Sequence, residues 1–107
     1  MTASSFRFHP AASDELESSG DWYDAQLLGL SFELFDEVDD AIHRIVERPE
    51  AWQRTDLVAG RTIRRFVMRR FPFSVVYYVS DAVVCIVAIA HAKRKPGYWR
   101  ARVKDRL

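Results

Sequence analysis

The sequence contains few of the residues that cross-link a small domain or bind a metal. Its 107 residues include one cysteine, four glycines and four prolines. The single Cys85 has no partner for an internal disulfide and cannot anchor a zinc cluster. Glycine-rich phosphate loops and the C-x-x-C and H-E-x-x-H patterns are absent from the sequence. We therefore expect a reduced, cytoplasmic protein with no cofactor and no metal site.

Long hydrophobic runs and leader signals are also missing. The longest apolar stretch, residues 82–90, has nine residues, whereas a membrane span needs about 20. Residues 1–5 lack the basic segment and the apolar run of a secretory signal, and we expect them to be flexible. The hydrophobic content of 49% and the charged content of 29% are typical of a folded chain. We predict one domain over residues 1–107, with no membrane association.

Acidic residues are almost absent from the second half of the chain. Residues 61–107 hold 12 Lys/Arg and two Asp/Glu, a net charge of +10. Residues 1–60 hold four Lys/Arg and 13 Asp/Glu, a net charge of −9. Such asymmetry indicates a nucleic-acid surface or an acidic partner, unless the two halves neutralise each other within the fold.

The first half of the chain has one strand pattern and two helix patterns. Residues 6–8 alternate apolar and polar side chains, which predicts a short strand. Pro10 suits the first turn of a helix that we expect to reach about Leu28, with Gly20 as a weak point. A second apolar stripe predicts a helix over residues 30–47. Because the joint is short, the two helices should form an antiparallel hairpin.

The second half of the chain changes to a strand period. Residues 49–60 are interpreted as a loop in which Trp52 plugs the base of the hairpin. Alternation over residues 61–70 predicts a strand with one exposed end, and residues 73–79 predict the next. A tight turn at Ser80-Asp81 leads into residues 82–91, whose near-continuous apolar run indicates a central strand. The expected fold is α+β, in the order β-α-α-β-β-β, with the hairpin on a mainly antiparallel sheet.

Basic and aromatic residues flank the central strand pair, and the tail over residues 99–107 is basic. Arginine binds phosphate in bidentate fashion, and aromatic rings stack on bases. The same residue types also suit the docking of an acidic protein segment or pairing with helix carboxylates, and the sequence leaves the three alternatives open. The candidate target- or partner-binding residues are Arg61, Arg64, Arg69, Arg70, Lys93, Lys95, Trp99 and Arg100.

Several segments together resemble the RelE/ParE superfamily of toxins from bacterial type II toxin–antitoxin (plasmid stabilisation) modules. They span nearly the whole chain, in the order and spacing of that family. The segments are Phe8-His9-Pro10-Ala11-Ala12, Asp21-Trp22-Tyr23, residues 45–52, Ile63-Arg64-Arg65-Phe66, residues 70–78, residues 89–94 and Tyr98-Trp99.

The resemblance implies a toxin that arrests growth and is neutralised by a cognate antitoxin with an acidic or amphipathic C-terminal segment. Pairing between chains through the exposed strand edge or the helices would give a homo-oligomer or a toxin–antitoxin hetero-oligomer. One branch of the superfamily poisons DNA gyrase without a catalytic site, and another cleaves mRNA, usually in the ribosome. Ser74 lies near the position where ribonuclease members carry an arginine, with Tyr77 as the matching aromatic. Residues 91–94 resemble the gyrase-directed branch, so we expect gyrase as the target and no enzyme activity.

Two alternative functions follow from the same resemblance. The first is a metal-independent, ribosome-dependent mRNA endoribonuclease. In that enzyme His91 or Tyr98 would move protons, while Arg65 and Arg94 would stabilise the extra phosphate charge. The second is an inert protein that only binds its antitoxin.

Overall fold

The computed structural model describes residues 2–107 as two helices packed against a five-stranded sheet. The sheet order is β1-β5-β4-β3-β2, in which β1 is parallel to β5 and the other neighbours are antiparallel. This architecture confirms the predicted α+β fold. The elements are β1 Ser5–Phe8, α1 Pro10–Gln26, α2 Leu30–Glu47, β2 Gln53–Val58, β3 Arg61–Val67, β4 Phe73–Ser80, β5 Val83–His91 and a short 3₁₀ helix, Arg100–Lys104.

The sheet has a buried cluster on each side. Leu34 and Ile45 of α2 pack with Val75 and Tyr77 of β4 on the side that we call the helix face. The opposite side carries a second cluster and is covered by the tail, residues 99–107, so we call it the tail face. Its members include Ile63, Val76, Val87, Trp99 and Val103. Both sides of β5 are buried, which confirms the predicted central strand.

The start of α1 is capped by a histidine. The Nδ1 atom of His9 accepts a hydrogen bond from the Ala11 N–H at 3.0 Å, and Pro10 occupies the first turn. The helix ends at Gln26, about two residues earlier than expected. Gly29, whose φ is +91°, is the residue that precedes α2. The second helix has the predicted bounds, and it ends before Arg48 because a proline follows at position 49.

Gly20 allows the two helices to approach closely. A Cβ atom at this position would lie 2.5 Å from Cζ of Phe35 and 3.4 Å from Cβ of Ser31. The glycine therefore lowers the helix propensity of α1 but makes room for a ring of α2.

The predicted loop over residues 49–60 is wrong in its second part, because β2 occupies Gln53–Val58. This strand pairs with β3 through a turn at Ala59 and Gly60, both with positive φ. Most of its side chains are exposed because it is an edge strand, so it carries no strong apolar period. Trp52, just before it, packs on Phe66 with ring centroids 4.5 Å apart.

The strand predicted over residues 61–70 ends at Val67. Met68 is buried, and its N–H donates to the carbonyl of Phe73 at 3.0 Å, which closes the connection to β4. Arg69 and Arg70 therefore lie in this connection and do not continue the alternation of β3.

The turn between β4 and β5 is centred on Asp81 and Ala82, one residue later than expected. Their φ values are +52° and +61°, as a two-residue type I′ turn requires. Alanine in this region has a steric cost that glycine lacks.

We expect Ala82→Gly to raise the free energy of unfolding by about 1 kcal/mol, because glycine adopts this conformation without strain. The gain corresponds to roughly 4 °C in thermal melting. The matched control is Ala25→Gly at an exposed position of α1, which should lower the stability by about 1 kcal/mol. Equal losses in both variants would contradict the role of the turn.

The first residues of the described chain make backbone contacts. The N–H of Ala3 donates to the carbonyl of Val46 at 2.8 Å, and the N–H of Ser4 donates to that of Ala82 at 2.7 Å. The flexibility expected for residues 1–5 stays a prediction, and Met1 lies outside the described residues. Within residues 2–107, no helix is both long enough and apolar enough to cross a membrane.

Candidate functional site

A cleft of about 300 Å³ lies where β5 ends and β4 begins. Ser74 and Ala90 line it from the sheet, and residues 94–100 close around it. We call it the His91 cleft. All four candidate catalytic residues and three of the candidate binding residues line it, namely Arg65, His91, Arg94, Tyr98, Lys95, Trp99 and Arg100.

His91 stands at the rim of the cleft with one ring nitrogen already occupied. Its Nδ1 atom accepts a hydrogen bond from the backbone N–H of Lys93 at 3.0 Å. The neutral ring therefore carries its proton on Nε2. The ring also packs edge-on against Phe73, with centroids 5.1 Å apart. In this geometry the Nε2 atom of the neutral ring is a hydrogen-bond donor, and the Nδ1 lone pair accepts the Lys93 N–H.

The hydroxyl group of Tyr98 is also engaged in a hydrogen bond. It donates a hydrogen bond to Oε2 of Glu15 at 2.7 Å. Burial raises the pKa of Tyr98 strongly, and the bond to the Glu15 carboxylate raises it further. The guanidinium of Arg94 lies 3.9 Å above the ring centroid. Tyr98 is therefore protonated at neutral pH and supports Arg94 as a platform.

Glu15 joins α1, β5 and the tail through a clasp that the sequence analysis missed. Its carboxylate accepts hydrogen bonds from both terminal nitrogens of Arg102, at 2.9 and 3.0 Å. It also accepts a hydrogen bond from the backbone N–H of Ile89 at 3.1 Å. Arg102 also donates to the carbonyl of Val87 at 3.0 Å. Because β1 pairs only with residues 83–86 of β5, these bonds cover the strand edge that β1 leaves open. No spacing in the sequence distinguishes Glu15 from its acidic neighbours.

Two of the other predicted binding residues lie on β3, outside the cleft. The Arg61 guanidinium lies 4.4 Å above the Tyr78 ring on the tail face. Arg64 points to the helix face, where its Nη1 donates to the carbonyl of Trp52 at 2.8 Å. Both arginines line another cleft, of about 460 Å³, and neither lines the His91 cleft.

The remaining predicted residues are also separate. Arg70 pairs with Glu33 of α2 at 2.6 Å, and its backbone N–H donates to Glu37. Arg69 is exposed in the connection to β4. Lys93 is exposed, and its backbone contacts His91. The twelve candidates are therefore divided between the His91 cleft and positions outside it.

Trp99 has a structural role although it borders the cleft. The residue is buried in the cluster of the tail face together with Val103. Tyr77 is likewise structural, because its hydroxyl donates to the carbonyl of Pro49 at 2.6 Å on the helix face. Burial raises the pKa of Tyr77 strongly. Neither ring is free to stack on a bound base.

Internal ion pairs neutralise only a few of the basic residues. Of the 12 Lys/Arg in residues 61–107, three pair with a carboxylate within the described chain: Arg70 with Glu33, Arg100 with Asp56, and Arg102 with Glu15. Internal pairing thus explains a minority of the charge asymmetry. Among residues 2–107, no three His, Cys, Asp or Glu side chains are grouped to hold a metal ion.

The buried tyrosines predict a specific response to alkaline pH. Tyr77 and Tyr98 have a pKa raised above the ordinary 10.0. Their contribution to stability is therefore complete below pH 10 and is lost as the pH rises toward their folded-state pKa. We expect phenolate absorbance from these two residues to appear only with unfolding. Absorbance at 295 nm, recorded with circular dichroism, tests this expectation. Ionisation of all four tyrosines near pH 10 in folded protein would contradict it.

Comparisons with known proteins agree with this fold. The family described as the ParE toxin of the type II toxin–antitoxin system parDE matches residues 6–96. The chain is also similar in structure to a chain of the chromosomal ParDE toxin–antitoxin system from P. aeruginosa. That similarity has a TM-score of 0.70 and 18% identity, and it covers 81% of this chain and 94% of the other. No curated protein matches the chain. On the extent of the family match, the chain belongs to the ParE toxin family of type II toxin–antitoxin systems.

Proposed function

We propose that this toxin arrests growth in the cytoplasm by binding DNA gyrase, and that a cognate antitoxin holds it inactive in a hetero-oligomer. The observation that carries the proposal is the state of the proton-transfer groups in the His91 cleft. His91 accepts the Lys93 N–H, and Tyr98 donates to Glu15. The one carboxylate that lines the cleft, Asp56, is paired with Arg100. The cleft therefore offers cations for binding a target but no free general base.

The floor of the cleft also favours binding over cleavage. Ser74 lines the cleft opposite Ala90 on β5. In the ribonuclease branch of the superfamily that the chain resembles, an arginine lies near this position. A serine hydroxyl carries no charge, so it stabilises a developing phosphate dianion far less than a guanidinium does.

The second candidate function is ribosome-dependent cleavage of mRNA. It is favoured by one observation, that Arg65, His91, Arg94 and Tyr98 line the same cleft. Cleavage would require the ribosome to rearrange the cleft, so that His91 loses its bond to Lys93 or Tyr98 loses its bond to Glu15. The third candidate, an inert antitoxin-binding protein, requires no such change and predicts no effect on growth.

Two experiments separate these functions. Inducible expression without an antitoxin should arrest growth, whereas normal growth with folded protein would support the inert alternative. The purified protein is then added to a reconstituted translation system with a defined mRNA. Gyrase binding predicts intact mRNA, and cuts at defined codon positions would instead establish the ribonuclease.

A further inference from the structure

The tail face carries a second group of cations outside the His91 cleft. A cleft of about 450 Å³, which we call the C-terminal cleft, lies beside the turn between β4 and β5. Of its two acidic side chains, Asp105 is hydrogen-bonded to His9 at 2.7 Å, and Asp81 lies in the turn. The cations that line it are Arg7, Arg61, Lys104 and Arg106.

Two of these cations are held in place by the fold. The Nη1 atom of Arg7 donates a hydrogen bond to the backbone oxygen of Leu107 at 2.9 Å. The Arg61 guanidinium rests on the ring of Tyr78. Such contacts lower the entropy that each long side chain would lose on binding an anion. Lys104 and Arg106 are exposed in the tail beside them.

The two clefts lie along one strand. Ser74 lines the His91 cleft and Ser80 lines the C-terminal cleft, and both side chains belong to the same face of β4. Six strand residues span about 20 Å. Over about 20 Å of its axis, duplex DNA carries about 12 phosphates. A small anion would occupy one cleft, whereas a polyanion of this length contacts both.

The centre of the tail face is filled by side chains of the tail. Trp99 and Val103 of the tail are buried over Ile63 and Val76. The most exposed large apolar side chains, Leu28 at 91% and Phe32 at 71%, lie at the closed end of the helical hairpin. An amphipathic peptide would need apolar contacts, so a partner that binds the tail face is recognised mainly by its charge.

We propose that the tail face binds the phosphate backbone of duplex DNA across both clefts, and that its target is the DNA segment held by gyrase. Binding of the tail face to a DNA backbone is inferred from the distribution of charge on that face and does not depend on the proposed function. The assignment to gyrase-held DNA rests on the proposed function. Binding through phosphates is independent of base sequence and weakens steeply with salt.

The test measures binding of the full-length protein to a fluorescein-labelled 20-base-pair duplex by anisotropy, as a function of salt. The variant is Lys104→Gln with Arg106→Gln, two exposed tail residues. We expect its affinity to fall at least about tenfold at 0.1 M salt. The slope of log K against log salt should become shallower by about 1.8, because each phosphate contact contributes about 0.9. The control, Arg44→Gln with Arg48→Gln on the helical hairpin, removes the same charge and should leave the slope unchanged.

The outcomes distinguish this inference from the proposed function. Absence of duplex binding at 50 mM salt, or equal slopes for both double variants, would overturn the inference. Tighter binding of single-stranded RNA of the same length, or displacement of the duplex by polyglutamate at equal charge, would also overturn it.

Supercoiling assays with the same proteins give the second readout. Duplex binding without inhibition of gyrase rejects the proposed function and leaves the phosphate surface standing. Undiminished inhibition by the Lys104→Gln/Arg106→Gln protein rejects the role of that surface in poisoning.

Discussion

Replacing Glu15 by glutamine is expected to lower the free energy of unfolding by about 3 kcal/mol, the lower end of the range for breaking a buried ion pair. The side chains of Glu15 and Arg102 are only 15% and 18% exposed. The substitution leaves the Arg102 guanidinium without its countercharge and weakens the bonds to Tyr98 and Ile89. Thermal unfolding should occur roughly 12 °C or more below wild type.

The matched control for the clasp is Glu17→Gln. Glu17 lies on the same helix, carries the same charge and is exposed. Its substitution should change the stability by less than about 0.5 kcal/mol. If the two variants unfold at the same temperature, the Glu15 clasp does not hold the tail, and the arrangement of the His91 cleft has another cause.

Charge reversal at Arg94 is expected to raise the toxin concentration that half-inhibits gyrase by at least about 30-fold, because it replaces a cation of the target-binding cleft by an anion. Arg94 lines the cleft and is stacked on Tyr98. Arg94→Lys keeps the charge and should raise this half-inhibiting concentration by less than about tenfold. Supercoiling of relaxed plasmid, titrated with each purified variant, measures the difference.

The lysine variant also discriminates between binding and catalysis. In a ribonuclease, a guanidinium placed on the transition-state phosphate contributes about 100-fold or more, and lysine does not reproduce its geometry. Arg44→Glu on the outer side of α2 provides the same charge reversal away from the cleft and should leave inhibition near wild type. An Arg94→Lys protein as inactive as Arg94→Glu would speak against a graded binding surface.

The fold could be predicted from the sequence where packing determines the pattern. The stripe of α2 and the proline after it give its two ends, and the apolar run of β5 indicates a strand with two buried sides. The edge strand β2 could not be predicted in this way. It is stabilised by its hydrogen bonds to β3 and buries few side chains, so its sequence lacks the period of a strand.

The site could be predicted only in part for a related reason. The antiparallel pairing of β4 with β5 brings Ser74 beside Ala90, so residues that flank the two strands in the sequence lie close together at this end of the sheet. Glu15 could not be identified, because its role depends on the short length of β1, which exposes the edge of β5. Arg70 was misplaced because β3 ends at Val67, and the connection carries Arg70 to Glu33.

The most direct test of gyrase as the target is ATP-dependent supercoiling of relaxed plasmid by purified gyrase in the presence of the purified, folded toxin. Binding to gyrase predicts that supercoiling falls with toxin concentration and that the Arg94→Glu protein fails to inhibit it. Unchanged supercoiling at saturating toxin, together with defined cuts in ribosome-bound mRNA by the same preparation, would contradict gyrase as the target and identify the His91 cleft as a ribonuclease site.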